Sequence, residues 1–318
     1  MQRDATTKRG HHYYTSQLTT AENTFTVGVA EVIDGKATTY VSCVNETFSN
    51  ICDPRSVLNK VSSFMTDRSA TEQKVNNILN EATDNTAESF KCSVHPLLQF
   101  SDVCKKEIVD IEKDLKIKGF GNERQIFSST ENLIRTISKL IYKDGTGDPL
   151  YVPTYLREKG IINIPIVSFR GNRFNTLFFN AAGTFFLQSH LMDYFKTSKC
   201  TLNFTENCIF NALQDDNILA ICRALGIIFK VITQPYWNEA VNENRNALQM
   251  EPIYQLLIQL LETASENPSL LQNSIQLLPG PTSPLDPATE ILFKPSSSLV
   301  AATESFFETL LYKIKGKI

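Results

Sequence analysis

The pattern of apolar residues changes near Gly119-Phe-Gly121, and that change limits the architectures open to the chain. Ahead of it, short runs rich in β-branched and aromatic residues alternate with stretches whose apolar residues recur every three or four positions. Beyond it, helical spacing dominates. Residues 11–19 (HHYYTSQLT) and 25–33 (FTVGVAEVI) read as strands joined by the polar connection Thr20-Ala-Glu-Asn-Thr24. Residues 37–44, after the turn signal Asp34-Gly35, read as a third strand, so that the three make an antiparallel meander. Asp53-Pro54 supplies a helix cap and a first-turn proline, and Val57, Leu58, Val61 and Phe64 follow at helical spacing. Residues 63–67 form a short apolar run ending on an acid. Thr71 can cap a helix whose buried stripe is Val75, Ile78 and Leu79. Residues 90–95 read as another strand and 97–115 as another helix. This order predicts an α/β fold, a mixed sheet flanked by helices over 1–118, followed by a mainly helical region over 119–318.

In that second region the spacing predicts helices over 128–143, 174–196, 206–213, 216–234, 250–264 and 298–313. Residues 161–168 read as a short strand or an extended segment, and 279–288 (PGPTSPLDPA) as a proline-rich connector. The composition, 42% hydrophobic and 20% charged, suits a globular protein with a sizeable core. A formal net charge of −3 gives no global attraction to nucleic acid, so any such contact has to come from local patches. Seven cysteines at irregular spacing, with no CxxC pair, read as reduced, mostly buried thiols of an intracellular protein. No secretory signal is expected. The stretch taken as most apolar, 174–186, is interrupted by Asn175, Asn180 and Gly183, so no membrane partner is expected.

Two acids, Asp4 and Asp67, fall at the ends of expected strands. Carboxylates on neighbouring strand ends come close enough to share divalent cations, and hard cations take oxygen ligands. In phosphoryl transfer, two such ions activate the attacking oxygen and stabilise the leaving one. Either acid alone reads better as a turn residue or a helix cap. Cys92 and His95 lack a second Cys/His pair nearby and read as a buried thiol and a hydrogen-bonded imidazole rather than zinc ligands. His11 and His12 are neighbours on one strand, so their rings point to opposite faces.

The segments DATTK (4–8), FMTDRSATEQKVNNILNEA (64–82) and KCSVHPL (91–97) resemble the core of hAT-superfamily transposases and their domesticated relatives. In those proteins a first Asp ends the first strand, a second lies in a T-D motif that opens a helix, and a C-x-x-H motif follows. Matched residue by residue, Asp4 is the first acid, Asp67 the second, and Cys92 with His95 the C-x-x-H pair. Asp84-Asn85 is a competing match for the second acid, but it leaves too few residues before Cys92 for a helix and a strand. Residues 169–191 (FRGNRFNTLFFNAAGTFFLQSHL) resemble a downstream segment of such proteins. The resemblance implies a ribonuclease-H-like fold, DNA strand transfer, Mg²⁺ or Mn²⁺ held by Asp4 and Asp67 if the site is active and no cofactor otherwise, and a nuclear location. It also predicts that the first strand is largely missing, because the chain starts three residues ahead of Asp4. No third acid has a diagnostic context; Glu290, Glu304 and Glu308 stand where the family's Glu is expected. Neither a zinc finger nor a dimerisation segment is recognisable. The expectation is therefore a transposon-derived, no longer active fragment, with Arg170 and Arg173 as DNA contacts. The alternative is a non-catalytic module whose helical half binds a protein partner or a second copy through apolar stripes on 206–234 and 250–264.

Overall fold

The computed structural model describes residues 1–67, 69–120, 127–143, 147–169, 175–273, 276–278, 286–294 and 297–315. The chain divides into two compact units, Met1–His95 and Pro96–Ile318. The expected boundary at 118/119 instead leaves the helix 97–115 with the first part.

The first unit is built on a mixed sheet of five strands: β1 (Gln2–Lys8), β2 (His11–Thr19), β3 (Thr24–Val32), β4 (Ser63–Thr66) and β5 (Glu88–Lys91). Their order across the sheet is β3-β2-β1-β4-β5. β1 and β2 are antiparallel, as are β2 and β3, whereas β4 runs parallel to both β1 and β5. Three helices connect the strands: α1 (Ala37–Ser49), α2 (Pro54–Leu58) and α3 (Ala70–Glu81). The meander exists, but its members differ from those expected. The first strand is present as β1, and Asp4 sits inside it rather than at its end. Residues 37–44 are helical, not extended, because Ala37, Tyr40, Val44 and Phe48 recur at helical spacing and all are buried. Their side chains meet Phe64, Val75 and Leu79 in one core, and Tyr40 stacks on Tyr14 of β2 with ring centroids 4.2 Å apart. The helix after Asp53 is shorter than its apolar spacing predicts. Asp53 caps it by accepting from Ser56 N, as anticipated. Ser69, not Thr71, caps α3.

The second unit is helical among its described residues: α4 (His95–Asp114), α5 (Ser129–Tyr142), α6 (Tyr151–Glu158), α7 (Thr176–Thr197), α8 (Phe204–Ala212), α9 (Asp216–Ile228), α10 (Gln234–Ala240), α11 (Ala247–Glu266), α12 (Ser269–Asn273), α13 (Pro287–Phe293) and α14 (Ser297–Lys315). The first residue of α4, His95, belongs to the first unit. Between α9 and α10, Phe229–Thr233 form a π-helical turn. Pro235 lies just beyond; with no N–H to donate and a ring that crowds the preceding turn, it favours such local widening. Within the 25-residue run Asp216–Ala240, an 18-residue window of mean hydropathy 1.6 is long and apolar enough to cross a membrane, and 83% of that window is buried within the fold. It is more apolar than the 174–186 stretch singled out above. A fully buried arginine interrupts it: Arg223 donates to Leu292 O, Gln272 Oε1 and Thr303 Oγ1, tying α9 to α12, α13 and α14.

α5 starts on a donated carboxylate. Glu112 of α4 accepts from Ser129 N at 2.6 Å and Thr130 N at 2.8 Å, filling two of the orphan donors at that helix start. Residues 161–168 form neither strand nor helix; bends at Asn163 and Pro165 interrupt them, and Ile166 N donates to Ile164 O. The backbone at Val167 is held instead by the buried Asn180 side chain, which accepts from its N–H and donates to its carbonyl. Most of the expected connector, 279–285, lies outside the described residues.

Candidate functional site

β1 turns two different faces to its surroundings. Arg3 and Ala5 share the face of Tyr14, the partner of Ala5 on β2, which packs on α1 and α3. Asp4 lies on the other face, opposite Thr15, whose hydroxyl donates to Asp4 O. Gln2 stands opposite Met65 on the parallel strand β4. Two residues further along both strands the same face carries Asp4 and Asp67, because side chains repeat every second position. Asp67 lies just past β4, where Ser69 N donates to its Oδ1 at 2.9 Å and Gln73 Nε2 to its carbonyl at 3.3 Å. Cys92 lies just past β5, and its N–H donates to Thr66 O at 2.9 Å.

Asp4, Asp67, Cys92 and His95 line a single cleft of about 310 Å³ on this face of the sheet. The four residues chosen from the sequence are thus brought together by the body of β1, which carries Asp4, and by the ends of β4 and β5, which run parallel beside it. Asp4 reaches solvent, yet the cleft strips part of its hydration. That loss, followed by repulsion from Asp67, raises its carboxyl above the ordinary range, while the Ala5 N–H and His95 pull the other way. The hydrogen bond with Cys92 raises the His95 imidazole against the effect of burial, and the charges of Cys92, Asp67 and Asp4 add to it. Burial alone pushes the Cys92 thiol up. The His95 ring and the N–H groups of Val94 and His95 outweigh it and leave the thiol below its ordinary value. Two carboxylates therefore share the cleft with an imidazole whose proton their charges help to hold.

The donor chemistry of the acid pair suits a hard divalent ion, but a pair is not the three-acid set that a two-ion mechanism uses. Among the described residues, no group of three or more His, Cys, Asp and Glu side chains is gathered so as to hold a metal ion. The described residues alone do not complete such a centre. Glu290, Glu304 and Glu308 all belong to the second unit.

Behind the site, on the helix face of β1, lies a cluster of which the sequence carries little sign. The Arg3 guanidinium is 3.3 Å from Glu72 of α3, donates to Asn76, and lies over the Phe64 ring. Both charged side chains are essentially buried. An arginine beside the first acid, at strand alternation, was the available signal. The competing acid, Asp84, is exposed and engaged elsewhere, with Arg55 at 2.9 Å and Asn59 at 3.1 Å. Arg170 and Arg173 lie outside the described residues. His11 contacts Glu31 and His12 contacts Thr7, each through Nδ1, which leaves the two rings on separate faces as expected. Only three of the seven cysteines, Cys43, Cys104 and Cys222, are buried; Cys52 and Cys200 are exposed. The thiols are free, but they are less buried than their apolar character predicts.

The apolar run over 216–234 is core rather than surface. On α11, Leu248 and Leu256 are exposed. No protein-family model matches the chain, and no curated protein matches it.

Proposed function

We propose that the chain derives from an hAT-type, ribonuclease-H-like transposase core, and that it keeps the acid pair without the strand-transfer activity. One observation carries this: Asp4 and Asp67 share one face of the adjacent parallel strands β1 and β4, at the centre of a sheet ordered β3-β2-β1-β4-β5. Cys92 and His95 stand beside them at the end of the next strand, in the C-x-x-H spacing. A central position for the strand that carries the first acid is what the resemblance to a ribonuclease-H-like fold implies, and β1 holds that position here. In the ancestral reaction, carboxylates placed this way hold Mg²⁺ or Mn²⁺, and the ions supply the charge stabilisation at the transferring phosphate. The contribution of this chain is to fix two carboxylates on one rigid face. DNA is the partner implied, in the nucleus.

A plasmid-nicking assay with supercoiled DNA and Mn²⁺ tests the proposal. The wild type is expected to give no nicking above the protein-free control. Nicking that Asp4→Asn and Asp67→Asn both abolish would overturn the loss of activity while keeping the acid pair. Nicking that survives both substitutions would overturn the assignment of the site.

The alternative, a non-catalytic protein-binding module, would be favoured by exposed apolar stripes on 206–234 and 250–264. Burial of 216–234 removes most of that surface.

A further inference from the structure

A cleft of about 700 Å³ lies over α7 in the second unit, and its charges cancel in pairs. Lys159 meets Asp193, Lys230 meets Asp286, and the Pro165 carbonyl lies against Gly183 on the floor. The cleft of the acid pair in the first unit is different. Among the described residues that line it, Arg3 is the one Lys or Arg. Its guanidinium is committed to Glu72, on the helix face of the sheet. Asp67 accepts from Ser69 N, and Asp4 from Ala5 N. Backbone donors of this kind hold a carboxylate in place without cancelling its charge. A cationic His95 offsets one of the two acids, so the cleft keeps a negative excess.

On the wall of the same cleft, Cys92 stands where a thiol can act as a nucleophile. It is half-buried rather than enclosed, and the cleft beside it, about 310 Å³, admits a small molecule. Its sulfur meets the His95 ring and the N–H groups of Val94 and His95. Donors gathered on one sulfur favour the thiolate, which is the reactive form of cysteine. Elsewhere burial works alone or nearly so, and it pushes the thiols of Cys43, Cys104, Cys208 and Cys222 up. At Cys92 the donors reverse that effect. A cysteine hydrogen-bonded to an imidazole that holds its proton is the arrangement of an activated nucleophile. The charged groups that face this pair are Asp4 on β1 and Asp67 just past β4.

We propose that Cys92 is a modification site for small cationic disulfides, whose ammonium group is drawn to Asp4 and Asp67. The Cys92 thiolate attacks one sulfur of the disulfide; the new S–S bond forms as the old one breaks. The departing thiolate takes the proton held by His95. Cys92 is thereby oxidised and the released half of the disulfide reduced. Nothing in this depends on the transposase assignment of the fold. Two disulfides of similar length and opposite charge test it on the full chain: cystamine, with two ammonium groups, and dithiodipropionate, with two carboxylates. Peptide mass spectrometry reads Cys92 apart from the other cysteines, and N-acetylcysteinamide serves as an uncharged reference thiol. Relative to that reference, Cys92 is expected to favour cystamine by about tenfold, and added salt should shrink the preference. The double variant Asp4→Asn, Asp67→Asn should lose the preference while Cys92 still reacts. His95→Gln should slow Cys92 about tenfold near pH 6 and much less near pH 9, where a thiol ionises unaided. Retained near-ultraviolet circular dichroism shows that each variant keeps its packing. A Cys92 that stays unmodified in the native chain, or discriminates between the two disulfides no better than the reference thiol, overturns the proposal. An unchanged rate near pH 6 in His95→Gln overturns the role of the imidazole.

Discussion

Two neighbouring residues of β1 do opposite work. Arg3 turns inward, to a buried carboxylate, while Asp4 turns outward, to the cleft. Glu72 shows the tension on the inner side: burial raises its carboxyl, and Arg3 and then the Tyr14 hydroxyl pull it back. Removing one member of a buried pair leaves the other uncompensated, which costs about 3–5 kcal/mol. Arg3→Met is therefore expected to destabilise the first unit by that order in chemical denaturation. Adding Glu72→Gln should recover much of the loss, because a well-packed neutral pair is often as stable as the ionic one. Equal losses for the single and double variants would show that the arginine acts through packing alone.

Among the elements, the crossing of residues 160–165 over α7 has the least slack. Alanine in place of a mid-helix glycine ordinarily gains about 1 kcal/mol. At Gly183 the added carbon would meet the Pro165 carbonyl and Ile166. A backbone carbonyl cannot rotate aside as a side chain does, and forced overpacking costs about 1–3 kcal/mol. The overpacking term wins. Gly183→Ala should lower the melting temperature, whereas a rise would mean that the segment is not held against α7. Sequence spacing foresaw α7 but not this crossing, because 161–168 carries the β-branched residues of a strand. Its hydrogen bonds go to Ser138 and Asn180 side chains instead. The same conflict decided 37–44, where threonine, tyrosine and valine content spoke for a strand and the spacing of buried residues for a helix. Spacing prevailed because it determines which side chains reach the core.

Over the whole molecule, the sequence made the two-part character legible, since the change from mixed to helical periodicity reports the packing each part can adopt. Asp4, Asp67, Cys92 and His95 were singled out together through the resemblance to transposase cores, and they line one cleft. β1 was not, for a physical reason. Its sequence QRDATTK buries only Arg3 fully, so it lacks the apolar alternation by which strands are recognised. The cleft over α7 was equally hidden, since it depends on residues from 159 to 288 meeting in space. What the sheet topology does above all is set Asp4 beside Asp67 on one face. Carboxyl-carbon NMR titration of Asp4 reads that proximity out. Asp4 is expected to titrate above the ordinary aspartate range in the wild type and to move down toward it in Asp67→Asn, as loss of the Asp67 repulsion requires. An Asp4 that titrates normally and ignores the substitution at Asp67 would contradict the shared face.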